Sequence, residues 1–104
     1  MLNSPIFDPL IVGSTANYQF NFVGQLAVGE TISTAATQAT TYSGVDPNPQ
    51  AIIITVASFA GTIVTQPIQG TVLGVIYQLV CSITTSLGNT FKQAAALAVV
   101  PALP

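Results

Sequence analysis

Along residues 77–85 every second side chain suits a protein interior: Tyr77, Leu79, Cys81 and Ile83, with Thr85 closing the series. Gln78, Ser82 and Thr84 fall between them, and only Val80 breaks the polar set. A period of two is that of a half-buried strand, not of a helix. Gly70 and Gly74 bracket a turn before it, and Ser86-Leu87-Gly88-Asn89 reverses the chain after it, since Gly and Asn accept the positive φ of tight hairpins. Residues 17–23 repeat the rhythm, with Tyr18, Phe20 and Phe22 on one face and Asn17, Gln19 and Asn21 on the other. Aromatic rings bury ~150–250 Å² each. Tyr18, Phe20 and Phe22 are therefore expected to form one core with Tyr77, Leu79, Cys81 and Ile83; the other use of such an alternation is a stacking platform for a sugar or a base.

The remaining segments extend this pattern. Thr- and Ser-rich residues 31–37 predict a strand, because β-branched side chains pack better on a sheet than on a helix, and an irregular piece follows to Tyr42. Pro47 and Pro49 make residues 45–50 a loop. The run AIIITVAS at 51–58 predicts a buried strand, residues 59–61 a turn, and residues 62–69 a further strand with Val64 and Ile68 inward and Pro67 at an edge or a bulge. Residues 90–100 read as the last strand, with Phe91, Leu97 and Val99 on one face and Lys92 on the other. Ala94-Ala95-Ala96 would also suit a helix, but the tight turn before it and Val99-Val100 after it favour strand. Pro5 and Pro9 keep the first residues extended, as an apolar arm that should lie on its own domain or on another subunit. The expected architecture is all-β: a β-sandwich of about seven antiparallel strands over residues 14–100, an N-terminal arm at 1–13 and a C-terminal tail at 101–104.

Composition changes the picture at one point. Half of the 104 residues are hydrophobic but only 4% are charged, namely Asp8, Glu30, Asp46 and Lys92, against roughly a quarter in average soluble proteins. A net charge of -2 argues against nucleic acid, which demands clustered Lys and Arg. No apolar run reaches the ~20 residues of a spanning helix, and the girdled strands of a membrane barrel are not recognisable, so no membrane partner is expected. The first residues lack the basic start and apolar core of a secretory leader. Cys81, the sole cysteine, reads as a buried inert thiol. Without His, and with one Lys and three scattered acids, neither a catalytic base nor a metal site can be assembled. Glu30 and Asp46 as a carboxylate pair are outweighed by their reading as solvated turn residues. The expectation is no enzyme, no cofactor and no metal.

A surface so poor in charge suits a subunit covered by neighbours, present as a homo-oligomer in an assembly. The expected contact residues are Leu2, Ile6, Phe7, Leu10 and Ile11 of the arm.

One resemblance is specific. After the aromatic strand at Asn17 comes Leu26-Ala27-x-Gly29-Glu30-Thr31-Ile32-Ser33, and later Gly70, Gly74-x-x-Tyr77-x-x-x-Cys81-x-Ile83-Thr84-Thr85-Ser86-x-Gly88. This order resembles the small immunoglobulin-like proteins of tailed-bacteriophage structural gene clusters, over roughly residues 17–100. Asn89 stands where those relatives commonly carry Arg, and Asn replaces Asp in the first strand. The resemblance implies an immunoglobulin-like sandwich and a virion component without catalytic activity, assembled in the bacterial cytoplasm. Within the particle, the first expectation is a capsid decoration or cement protein bound to the major capsid protein. The alternative is a head–tail connector, collar or fibre-attachment subunit contacting other virion proteins. From a different class, a carbohydrate-binding module would use Tyr42, Tyr18 or a loop aromatic as its platform.

Overall fold

A computed structural model describes residues 7–101. Seven strands run in chain order: β1 (Leu10–Ile11), β2 (Thr15–Asn21), β3 (Ile32–Ser43), β4 (Ser58–Ala60), β5 (Ile63–Gln69), β6 (Ile76–Thr85) and β7 (Thr90–Val100). They form two sheets, β1-β7-β6-β3 and β2-β5-β4, packed as a sandwich. The alternation in the chain sets the registers: Tyr77 lies opposite Leu97 and Thr41, and Leu79 opposite Ala95 and Ala39. In the other sheet Phe20 faces Val64. Inward residues of both sheets meet in one core, where Phe22, Ile52, Val64, Ile68, Tyr77, Leu79 and Leu97 are fully buried.

Two ends of the sandwich matter below. The upper end, reached by Val100, gathers the loops at 12–14, 44–48 and 70–75. The lower end gathers the loop at 22–31, the β4–β5 turn and the β6–β7 turn at 86–89. Gly44 sits in the upper end at a φ of 93°, and a Cβ there would come within 3.2 Å of the Gly74 carbonyl and of Val75. Glycine is thus required on both counts.

Several expectations are corrected. The strands are not all antiparallel, since β1 pairs in parallel with β7, Leu10 beside Val99. The arm from Phe7 therefore lies on its own domain: the Phe7 amide donates to the Ala96 carbonyl at 2.8 Å, and its ring stacks on Tyr18 at 4.7 Å. The run at 51–58 is not a strand. Pro49–Ile52 forms a 3-10 turn, Ile53 makes a single bridge to Ile68, and only residues 58–60 pair as β4. This segment carries the chain from the edge of one sheet to the edge of the other, and Ile52 plugs the core on the way. Residues 31–42 are expected as a strand to about Thr37 and an irregular piece to Tyr42, but all of them except Thr31 fall in the single strand β3, with irregularities at 32–34 and 41–43. Gln66 also points inward between Val64 and Ile68, and its amide donates to the Thr55 carbonyl at 2.8 Å, tying down the connector.

A side chain covers the middle of the outer edge of β3. The Ala39 N–H donates to Gln50 Oε1 at 3.0 Å, while Gln50 Nε2 donates to the Thr37 carbonyl at 3.3 Å. One amide side chain thus pairs two backbone groups in the middle of this edge. The other edge strand on this flank, β4, is only three residues long.

Candidate docking surfaces

Glu30 and Asp46 stand at opposite ends of the sandwich, so they form no carboxylate pair. Glu30 is buried, not solvated: it accepts the Ala27 N–H at 3.0 Å, the Asn89 amide at 2.9 Å and the Thr85 hydroxyl at 2.5 Å. These bonds, the one from Thr85 first, hold its carboxyl below the ordinary range. They tie the 22–31 loop to β6 and to the β6–β7 turn. Two further bonds lie alongside, from the Thr31 amide to Ser86 Oγ at 3.0 Å and from the Ser86 amide to the Thr31 carbonyl at 2.8 Å. Asp46 accepts the Tyr77 hydroxyl at 2.6 Å and the Asn48 amide at 2.9 Å. Burial, and then this bond to Asp46, push the Tyr77 hydroxyl up to about 12.

Tyr18, Phe20, Phe22, Tyr77, Leu79, Cys81 and Ile83 are all buried. Burial pushes the Cys81 thiol up to about 11, which leaves it protonated and unreactive at neutral pH. Tyr18 is no sugar platform, because its ring is covered by Phe7 and its hydroxyl donates to the Asp8 carbonyl at 3.2 Å. Tyr42 is exposed near the upper end of β3.

Of the five arm residues expected to grip a partner, Leu2 and Ile6 lie outside the described residues. Leu10 is buried in its own domain, and Phe7 packs against Tyr18 and Phe20. Their apolar surface is thereby used internally. Among the described residues of the five, Ile11 alone is exposed, at 44%.

The apolar side chains that do reach solvent group by place. Ile11, Val12, Val45 and Leu73 share the upper end. Val23, Val28 and Leu87 share the lower end, where Val28 is fully exposed. Ile54, Val56 and Phe59 follow the β4 edge. Reasoning from strand periodicity passed over the loop residues, yet they carry a legible signal. Val12, Val23, Val28, Leu73 and Leu87 each precede a glycine, and Val45 follows one. Turns that need glycine are ordinarily polar at their tips.

No pocket opens among the described residues. Among the described residues the chain is a β-sandwich, most of whose large exposed apolar side chains lie on its loops. A family model described as podophage GP4 fiber-tail adaptor protein gp77 matches residues 12–98, and the chain belongs to that family. It is a structural component of a phage virion. No curated protein matches the chain. The match gives no support to capsid decoration, or to the major capsid protein as a partner, and agrees better with the fibre-attachment alternative.

Proposed function

We propose that this chain is a fibre-attachment subunit of the phage tail, docking on the tail through one end of its sandwich and holding a fibre through the other. The observation that carries this reading is the family match over residues 12–98. The molecule's shape supports it. The sandwich is elongated, 48 × 27 × 24 Å, and each end presents exposed apolar loops. An adaptor needs two docking surfaces far enough apart for both partners to bind at once. The strand order supports an immunoglobulin-like topology as well: lettered in sequence, the sheets read A-G-F-C and B-E-D, close to the two sheets of such domains.

Apolar side chains on turns are suited to burial against protein partners, each fully buried Val or Leu contributing about 1.5–3 kcal/mol before association costs. The test is end-specific. Val45→Lys with Leu73→Lys should abolish binding to one partner, tail or fibre, and leave the other intact. Val28→Lys with Leu87→Lys should do the reverse. Both pairs of substitutions lying without effect on attachment in reconstituted particles would refute the two-ended adaptor.

A further inference from the structure

The strand edges of the two sheets are not alike. β4 is three residues long and β1 two. β3 is interrupted by Gln50 and by two irregularities of register, and β7, below the stretch that β1 covers, carries Lys92. Short strands, irregular register and edge lysines are what proteins use to keep foreign strands off a sheet. β2 has none of them: it runs seven residues without proline, charge or register shift. Its backbone alternates in what it bonds. The Gly70 N–H donates to the Ser14 carbonyl and the Phe22 N–H to the Thr62 carbonyl, which with the register makes the even-numbered residues of β2 those bonded to β5. The N–H and C=O groups of Thr15, Asn17, Gln19 and Asn21 therefore point away from the sheet. Gln93 Nε2 takes the Asn21 carbonyl at 2.7 Å. Among the described residues no hydrogen bond reaches the backbone of Thr15, Asn17 or Gln19 on this side, so three donors and three acceptors stand open along roughly 13 Å of edge.

We propose that the open edge of β2 takes an extended, uncharged segment of a neighbouring virion protein as an added strand. The free groups choose the kind of occupant. Donors and acceptors that alternate at strand spacing match a peptide backbone in its extended form, and main-chain bonds then supply the affinity. The side chains choose its character: Thr15, Asn17, Gln19 and Asn21 are exposed and uncharged, so a charged residue set beside them finds no partner, whereas Thr, Asn or Gln does. Exposed Val12 and Val23 lie just beyond the two ends of β2 and give the ends of the segment an apolar footing. The inference rests on the adaptor reading for the source of the segment, and it adds the flank between the two loop ends as a further contact.

Amide hydrogen exchange of the full chain, free in solution and within intact particles, tests this. The amides of Thr15, Asn17 and Gln19 should exchange fast in the free chain at every concentration and lose that exchange in the particle, while those of Ala16, Tyr18 and Phe20 stay slow in both. Asn17→Pro removes a donor on the open side and no bond to β5, a place where a strand tolerates proline. It should fold and lose its retention on particles that lack this chain. Asn17→Ala keeps the backbone donor and should be retained like the wild type. Should Asn17→Pro fail to fold, exchange in the wild-type chain still decides. Edge amides as fast in the particle as in the free chain overturn the proposal, and so does full retention of a folded Asn17→Pro. An equal loss of Asn17→Ala overturns it by making the side chain the contact. Edge amides already slow in the free chain overturn it as well, because this chain or a second copy then covers the edge. Fibres missing from particles without this chain would uphold the adaptor reading in each of these cases.

Discussion

At the lower end of the sandwich Glu30 takes hydrogen bonds from its own loop, from β6 and from the β6–β7 turn, whereas at the upper end Asp46 takes one from Tyr77 and one from its own turn. The upper loops are held mainly by backbone: Val12 N–H to the Val100 carbonyl, Gly13 N–H to Gly70, and Gly74 N–H to Val99, at 2.8–3.0 Å. The lower loops have backbone bonds too, from the Phe22 N–H to the Thr62 carbonyl and from the Ser86 N–H to the Thr31 carbonyl, both at 2.8 Å, and add to them the cluster around Glu30. Loops gathered around one buried carboxylate depend on its charge, because a buried acceptor that loses its partners, or its ionisation, forfeits several bonds together. Two of the three acids in the chain are thus spent on internal ties, which is part of why the surface is so nearly neutral.

The comparison can be broken by substitution, beginning with the largest expected effect. Phe22 is fully buried where the lower loop leaves β2, and its amide bonds to Thr62. Phe22→Ala should cost about 3–5 kcal/mol in urea unfolding, a large part of the stability of a domain this size. Glu30→Gln keeps the side-chain volume and removes the charge. It should destabilise less than Phe22→Ala, and its effect should be local: faster amide hydrogen exchange at Ala27 and Asn89, with Gly13 and Gly74 unchanged. Uniformly faster exchange would erase the contrast between the ends. Tyr77→Phe, which removes the upper tie and leaves Asp46 able to reach water, should cost only about 1 kcal/mol.

Titration sharpens the same contrast. The Glu30 carboxyl lies lower in the folded protein than in the unfolded chain, where it ionises near ~4.3. Its contribution is complete above that value and is lost as the pH falls through the folded one. Acid should therefore loosen the lower end first, and Glu30→Gln should flatten the acid limb of stability against pH. Tyr77 shifts the other way. Its contribution is complete below the unfolded value of ~10 and is lost as the pH rises through about 12, and Tyr77→Phe should remove that part of the alkaline loss.

Legibility from sequence followed chain distance. The alternation at 77–85 and 17–23 marks strands because the pleat imposes it on any strand with one face buried. The run at 51–58 has strand composition, but composition does not reveal that the chain there must leave one sheet for the other. A crossing segment needs one core anchor, Ile52, and not a ladder. The choice between the arm's two expected resting places, its own domain or another subunit, was not legible for a similar reason: Phe7 is apolar and proline-flanked, and only the fold brings Tyr18 and Phe20 beneath it. Glu30 looked like a loop acid because its partners Thr85 and Asn89 lie more than fifty residues away. The exposed loop residues were visible all along as apolar letters beside turn glycines, and periodicity alone gives such positions no weight.

The most direct test of the adaptor account is an averaged electron-microscopy reconstruction of the phage particle with this chain located in the density. The account predicts density at the junction between tail and fibre, with one end of the sandwich against each. Density spread over the head shell, or fibres still attached to particles that lack this chain, would contradict it.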